Sequence, residues 1–194
     1  MSINLPLGFQ LIINNNIIEY ANANKLENNT VFISEDALKN HNNLEVYFAF
    51  NRFSKSELLF ISIISIHKLL SNINIKCELI WPNKLVIQNK IIAQCNTQSV
   101  NSMQIVKIKI KSIISNKHIL IKLCEQMNFK LHQISMIGKH YIINQIQALI
   151  RQKKKEYENI PFLIQNIDKN GDLQIVSSDY TKHKLKLDDF ICNT

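Results

Sequence analysis

The residues best suited to chemistry stand at 81–83, where the only tryptophan of the chain is followed by Pro82 and Asn83. Proline fixes one backbone dihedral and removes a donor, and asparagine tolerates turn geometry. Trp81-Pro82-Asn83 therefore predicts a turn between the β-type runs Lys76–Ile80 and Leu85–Ala93. A turn that carries an indole and an amide together could form the wall of a site, although a tryptophan beside a proline is more often a packed strand end. A second group is Lys107, Lys109 and Lys111, which alternate with Ile or Val inside Met103–Ile114. That period of two predicts a strand with one buried and one wet face. The lysines are then either a basic stripe for an anionic partner or a solvated face, and the solvated face is the commoner case.

The remaining reactive residue types form no set. His67 lies in an apolar run with no partner at catalytic spacing. Cys77, Cys95, Cys124 and Cys192 are far apart and include no C-x-x-C pair, which argues against a zinc site and a disulfide framework and for free thiols in a reducing cytoplasm. Asp168 and Asp172 do not match the spacing of a calcium loop and read as turn residues, so no metal site is expected. With three glycines in 194 residues, a cradle of backbone amides around phosphate is not expected either.

The elements that must position these residues are mixed. Phe9–Ile13 reads as a first strand, Asn14-Asn15-Asn16 as a turn and Ile17–Leu26 as a short helix. Thr30–Ser34 and Leu44–Phe50 have buried-strand patterns, and Lys55–Ser71 is dense enough in Leu and Ile for a largely buried helix. After the strand Met103–Ile114, helices are predicted over Ile119–Asn128 and His140–Tyr157, joined by the connection Phe129–Gly138. The run Arg151–Lys155 reads as a solvated helix end. From Pro161 onward, Asn170-Gly171 between alternating segments is a strong hairpin signal and marks a small β segment.

Composition sets the outer bounds. A hydrophobic content of 46% is that of a globular protein, and the length allows one sizeable core with a small appended domain. The net charge of +8 comes almost wholly from lysine, since Arg52 and Arg151 are the only arginines. Together with abundant Asn and Ile this is the residue bias of an AT-rich genome. The lysines are scattered and poorly interleaved with aromatics, so charge alone does not assign a nucleic-acid partner. No basic segment leads into an apolar one at the N-terminus and no apolar run reaches the length of a span, so a soluble cytoplasmic protein without membrane contact is expected.

In order along the chain, these segments resemble biotin protein ligases. Ile80-Trp81-Pro82-Asn83-Lys84 is similar to their K-W-P-N-D turn, Leu85–Asn89 to the hairpin that follows, and Lys90-Ile91-Ile92-Ala93-Gln94 to a K-L-A-G strand. Tyr20-Ala21-Asn22 stands at their S-T-N, and Ile167–Leu173 resembles the I-D-x-x-G-x-L of their terminal SH3-like barrel. The resemblance implies an α+β fold. It places a biotin/lipoate ligase-like catalytic core, a central mixed sheet packed on helices, over 1–157, and a small C-terminal SH3-like β domain over 160–194.

It further implies that biotin is activated with ATP and Mg2+ to biotinyl-5′-adenylate and passed to a lysine of a biotin carboxyl carrier domain. The substrate-binding residues would be Asn22, Trp81, Pro82, Asn83, Ala93 and Gln94. Lys90 would be the catalytic lysine that steadies phosphate charge, although counting without a gap puts Ile91 at the family's lysine and Lys90 one residue earlier. Neighbouring strand residues face opposite ways, so that register bears on activity.

The chain departs from the family pattern at several points. Ile80 and Lys84 replace the charged edges of the turn, and Gln94 replaces a glycine. No glycine or arginine lies between Thr30–Ser34 and Leu44–Phe50, where the family carries its phosphate-binding loop. The glycines of the family's G-I-G-I-N strand are absent from Met103–Ile114, which is also the candidate sheet edge for dimerisation. Little adenylation activity is expected. Two readings follow: a divergent ligase acting through Lys90 and dispersed lysines, or a non-catalytic relative that keeps the fold and binds a carrier domain or another protein. A nucleic-acid module using the small barrel is a weaker third.

Overall fold

Alternation explains the centre of the molecule. In β3 (Asn43–Phe50) the side chains of Leu44, Val46, Phe48 and Phe50 point to one face and Glu45, Tyr47 and Ala49 to the other. β7 (Met103–Lys111) repeats this with Val106, Ile108 and Ile110 against Lys107 and Lys109, and the two strands pair antiparallel along their whole length. The computed structural model describes residues 3–6, 8–24, 26–39, 42–111, 115–150, 155–157, 160–168, 170–177, 179–187 and 189.

Around this pair a seven-stranded mixed sheet has the order β1-β2-β3-β7-β6-β5-β4, completed by β1 (Gln10–Ile13), β2 (Thr30–Ile33), β4 (Glu78–Ile80), β5 (Lys84–Ile87) and β6 (Lys90–Val100). Only β1 and β2 run parallel. One face is covered by α3 (Lys55–Asn72), α4 (Asn116–Ile137) and α5 (Lys139–Ile150). α3 lies on β6 and β7 with eleven of its side chains buried, which is why its sequence is apolar nearly all round. Its start is fixed by a capping box, in which the Ser54 hydroxyl accepts from the Glu57 amide at 3.3 Å and the Glu57 carboxylate accepts from the Ser54 amide at 2.8 Å. Among the described residues the other face carries the helix α1 (Ile17–Ala23), whose Ile17 and Ala21 pack on Phe32, Val100 and Ile105. α2 (Glu35–Lys39) leads into β3 and meets α4. A buried Asn116 holds this junction, donating to the Ala37 carbonyl at 2.7 Å and the Asn43 carbonyl at 3.0 Å.

A second, antiparallel sheet has the order β11-β10-β9-β8, from β8 (Lys155–Tyr157), β9 (Ile160–Ile167), β10 (Leu173–Ser177) and β11 (Lys182–Leu185). Ile167, Leu173, Ile175 and Leu187 join the main core. The fold is therefore α+β, with a mixed sheet packed on helices and small C-terminal strands.

Several boundaries differ from the sequence expectation. Phe129–Gly138 is not a connection, because Leu131 and Ile134 continue the buried stripe of α4 until Gly138, at φ +94°, ends it. α5 is described as far as Ile150, and 155–157 is a strand that pairs with β9, so the predicted helix does not reach Tyr157 and the second sheet starts ahead of residue 160. The charge run at 151–154 lies outside the described residues. Leu85–Ala93 is two strands, broken at Gln88-Asn89, where both residues have positive φ. β7 lies between β3 and β6 and cannot be the sheet edge proposed for dimerisation.

Candidate functional site

The face of the sheet that the three long helices leave open carries the polar residues. Strand register sets them in rows: Glu45, Lys109, Gln94 and Lys84 across β3, β7, β6 and β5, and Tyr47, Lys107 and Asn96 in the next row. Glu45 accepts from Lys107 at 2.8 Å and Lys109 at 3.2 Å, and the Tyr47 hydroxyl donates to it at 2.6 Å. The Lys107 ammonium also lies 5.1 Å from the centre of the Tyr47 ring. Burial alone would raise the Glu45 carboxyl, but hydrogen bonds from Lys107, Tyr47 and Lys109 outweigh it and leave it below its ordinary value. Burial and the adjacent Glu45 push the Tyr47 hydroxyl up, so it stays a neutral donor.

Beside this network lies a cavity of about 390 Å³, lined among others by Glu45, Ile91, Gln94, Lys109 and Lys111. Leu44, Ile92, Ala93 and Ile110 also border it, while the side chains of Leu44, Ala93 and Ile110 belong to the core on the helix side. The cavity has room for a small molecule or for side chains of a partner, with positive charge on one wall.

The sequence-predicted site residues divide. Trp81 and Pro82, joined by a cis peptide bond, are buried, and Trp81 packs in the core on the helix side. Asn83 is buried with them and donates to the Asn96 side chain at 2.9 Å, while its carbonyl accepts from the Cys95 amide at 2.9 Å. Ala93 and Gln94 meet at the cavity. Asn22 is exposed on α1, which packs over the Val100 and Met103 end of the face, and it is not among the cavity's lining residues. Lys90 is exposed beside the Gln88-Asn89 turn, pairs with Ile87 and does not line the cavity; Ile91 does. A register shift at Leu85/Val86 leaves Ile92 packing toward the helix core, so Ile91 faces the open side. Glu45, Tyr47 and Asn96 were not legible as site residues, since only the pairing of β3, β7 and β6 brings them to the lysines. His67 is half-buried on α3 and held below its ordinary value by burial and Lys68. Cys95 and Cys124 are buried thiols, the latter pushed up to about 12 by burial.

No family model matches the sequence, and no curated protein matches it. Solved structures do. The biotin protein ligase of Aquifex aeolicus in complex with biotin and ATP superposes with a TM-score of 0.74 at 14% identity, over 92% of this chain and 95% of that one. A biotin protein ligase-like protein of unknown function from Silicibacter gives a TM-score of 0.77 at 8% identity, over 98% and 99%. The biotin acetyl coenzyme A carboxylase synthetase of Helicobacter pylori, with bound biotinylated ATP, gives 0.55 at 11% identity, over 87% and 92%.

The chain has the biotin protein ligase fold. Between β2 and β3, where the resemblance places a phosphate-binding loop, the one lysine, Lys39, is paired with Glu35 at 3.2 Å. α2 begins with Glu35 and Asp36, whose carboxylates repel an anion, and the segment lacks glycine and arginine. Among the described residues no group of three or more His, Cys, Asp or Glu could hold a metal ion. The start of α2 offers negative charge where the phosphates of ATP would need positive charge. No helix of the described residues is long and apolar enough to cross a membrane.

Proposed function

We propose that this chain is a divergent biotin protein ligase relative that has lost adenylation and works by binding a partner protein. The observation that carries the reading is the Lys107, Glu45, Lys109 and Tyr47 network, which occupies the open sheet face with side chains. In the resemblance, the corresponding strand carries glycines that admit substrate. Ile91 at the cavity and Lys90 turned to solvent support it, because the phosphate charge of an adenylate would meet an aliphatic side chain. Glu35 and Asp36, which open α2 where the family carries its phosphate-binding loop, support it again. A biotin carboxyl carrier domain is the partner class that the fold suggests. Buried free thiols fit a reducing cytoplasm.

A ligase with displaced lysines is the second reading. It is favoured by Lys109 and Lys111, which bring two ammonium groups to the same cavity as Gln94. Pyrophosphate release from MgATP with biotin, with and without a carrier domain, separates the two. The binding reading expects no biotin-dependent release from the wild type, Lys90→Ala or Lys109→Ala. Release that one of these substitutions abolishes establishes the ligase and names its lysine.

A further inference from the structure

The open face combines three features that together describe an occupant. Its strands are strongly basic: Lys84, Lys90, Lys107, Lys109 and Lys111 lie on β5, β6 and β7, and Glu45 is the one acidic residue of β3, β5, β6 and β7. Glu78, on the outermost strand β4, is the nearest other carboxylate by strand order. Glu45 engages Lys107 and Lys109, and even so the Lys109 side chain is 57% exposed. Lys111 is exposed and Lys84 half-buried, and neither has a carboxylate partner among the described residues.

The second feature is apolar. Ile80 and Ile91 are 43% and 40% exposed, and strand pairing puts Ile80 beside Lys84 and Ile91 beside Val86 on this same face. Ile91 also lines the cavity with Lys109 and Lys111. The third feature is spacing. Lys107, Lys109 and Lys111 recur every second residue, about 7 Å apart along a strand, which is the repeat of same-side side chains in any extended chain. Nucleic acid fits less well, because single strands need exposed aromatic platforms and the ring of Tyr47 is covered by Lys107.

We infer that the open face docks an extended acidic segment of a partner protein, whose alternate carboxylates meet Lys109 and Lys111 along β7, with a further carboxylate reaching Lys84 across the sheet and an apolar side chain entering the cavity beside Ile91. This rests on the binding-module reading and names the chemistry of its partner. Electrostatic complementarity of this kind speeds encounter and is weakened by salt.

The test uses the full chain and a fluorophore-labelled synthetic peptide with glutamate at alternate positions and one leucine, read by anisotropy. The same peptide with glutamine for glutamate is the control. The expected result is that the glutamate peptide binds, that added salt weakens it, and that the glutamine peptide and the double variant Lys84→Gln/Lys111→Gln each bind about tenfold more weakly. A distant Lys122→Gln on α4 leaves affinity unchanged. Equal affinity for the two peptides, unchanged affinity in the double variant, or no binding of either peptide overturns the inference. The binding-module reading fails separately, by biotin-dependent pyrophosphate release; absent peptide binding without release would remove this surface and leave that reading standing.

Discussion

The Asn83 side-chain amide donates to the side-chain Oδ1 of Asn96 at 2.9 Å, tying the turn after cis-Pro82 to the open face of β6. Both residues belong to the polar end of the sheet, yet their bond is inward and structural. Asn83→Ala removes a nearly buried donor and frees the turn, which costs about 1 kcal/mol. A lowered urea midpoint with an unchanged slope, together with a shift in the emission of the single tryptophan, is the expected outcome.

Glu45→Gln removes the carboxylate shared by Lys107 and Lys109. The Glu45 carboxyl lies below its ordinary value of 4.5, so its contribution to stability is complete above that value and is lost as pH falls through the lower folded value. The unfolded state binds more protons between the two, so wild-type stability falls with acidification there. Thermal scans across this range should show a steeper acid decline for the wild type than for Glu45→Gln.

Gly171→Ala should destabilise the second sheet and its seat on the core. Gly171 has φ +92°, and an added methyl would stand 2.8 Å from Leu187 Cδ2 and 3.1 Å from the Phe60 ring. The combined backbone and packing strain is about 1–3 kcal/mol. The lost stability should be read as a lower midpoint in denaturant unfolding, and an unchanged midpoint would remove Gly171 from the seam.

Much of this fold was legible in the sequence, for reasons that lie in local pattern. The period of two in β7 and the apolar density of α3 are signals of burial, and both elements stand where the pattern put them. The break at Gln88-Asn89 was not legible in the residue pattern, because glutamine seldom takes the left-handed conformation that this turn gives it, and only the family resemblance put a hairpin over Leu85–Asn89. The continuity of α4 through 129–137 was lost because exposed Phe129, Met136 and Ile137 blur its buried stripe. At the site, the lysine stripe could be read from spacing alone. Its pairing with Glu45 could not, since that contact spans more than sixty positions and depends on strand register. The turn at Trp81-Pro82-Asn83 could be read from its residues, and the tryptophan ring packs in the core on the helix side.

The most direct measurement of the central claim is the thermal stability of the full chain with biotin, read alongside isothermal titration. A ligand present at one hundred times its Kd stabilises the folded state by about 2.7 kcal/mol, a readily measured rise in Tm. No saturable heat and no change in Tm are expected with biotin, with or without MgATP. A saturable titration accompanied by a concentration-dependent rise in Tm would contradict this by showing that the chain keeps a biotin site.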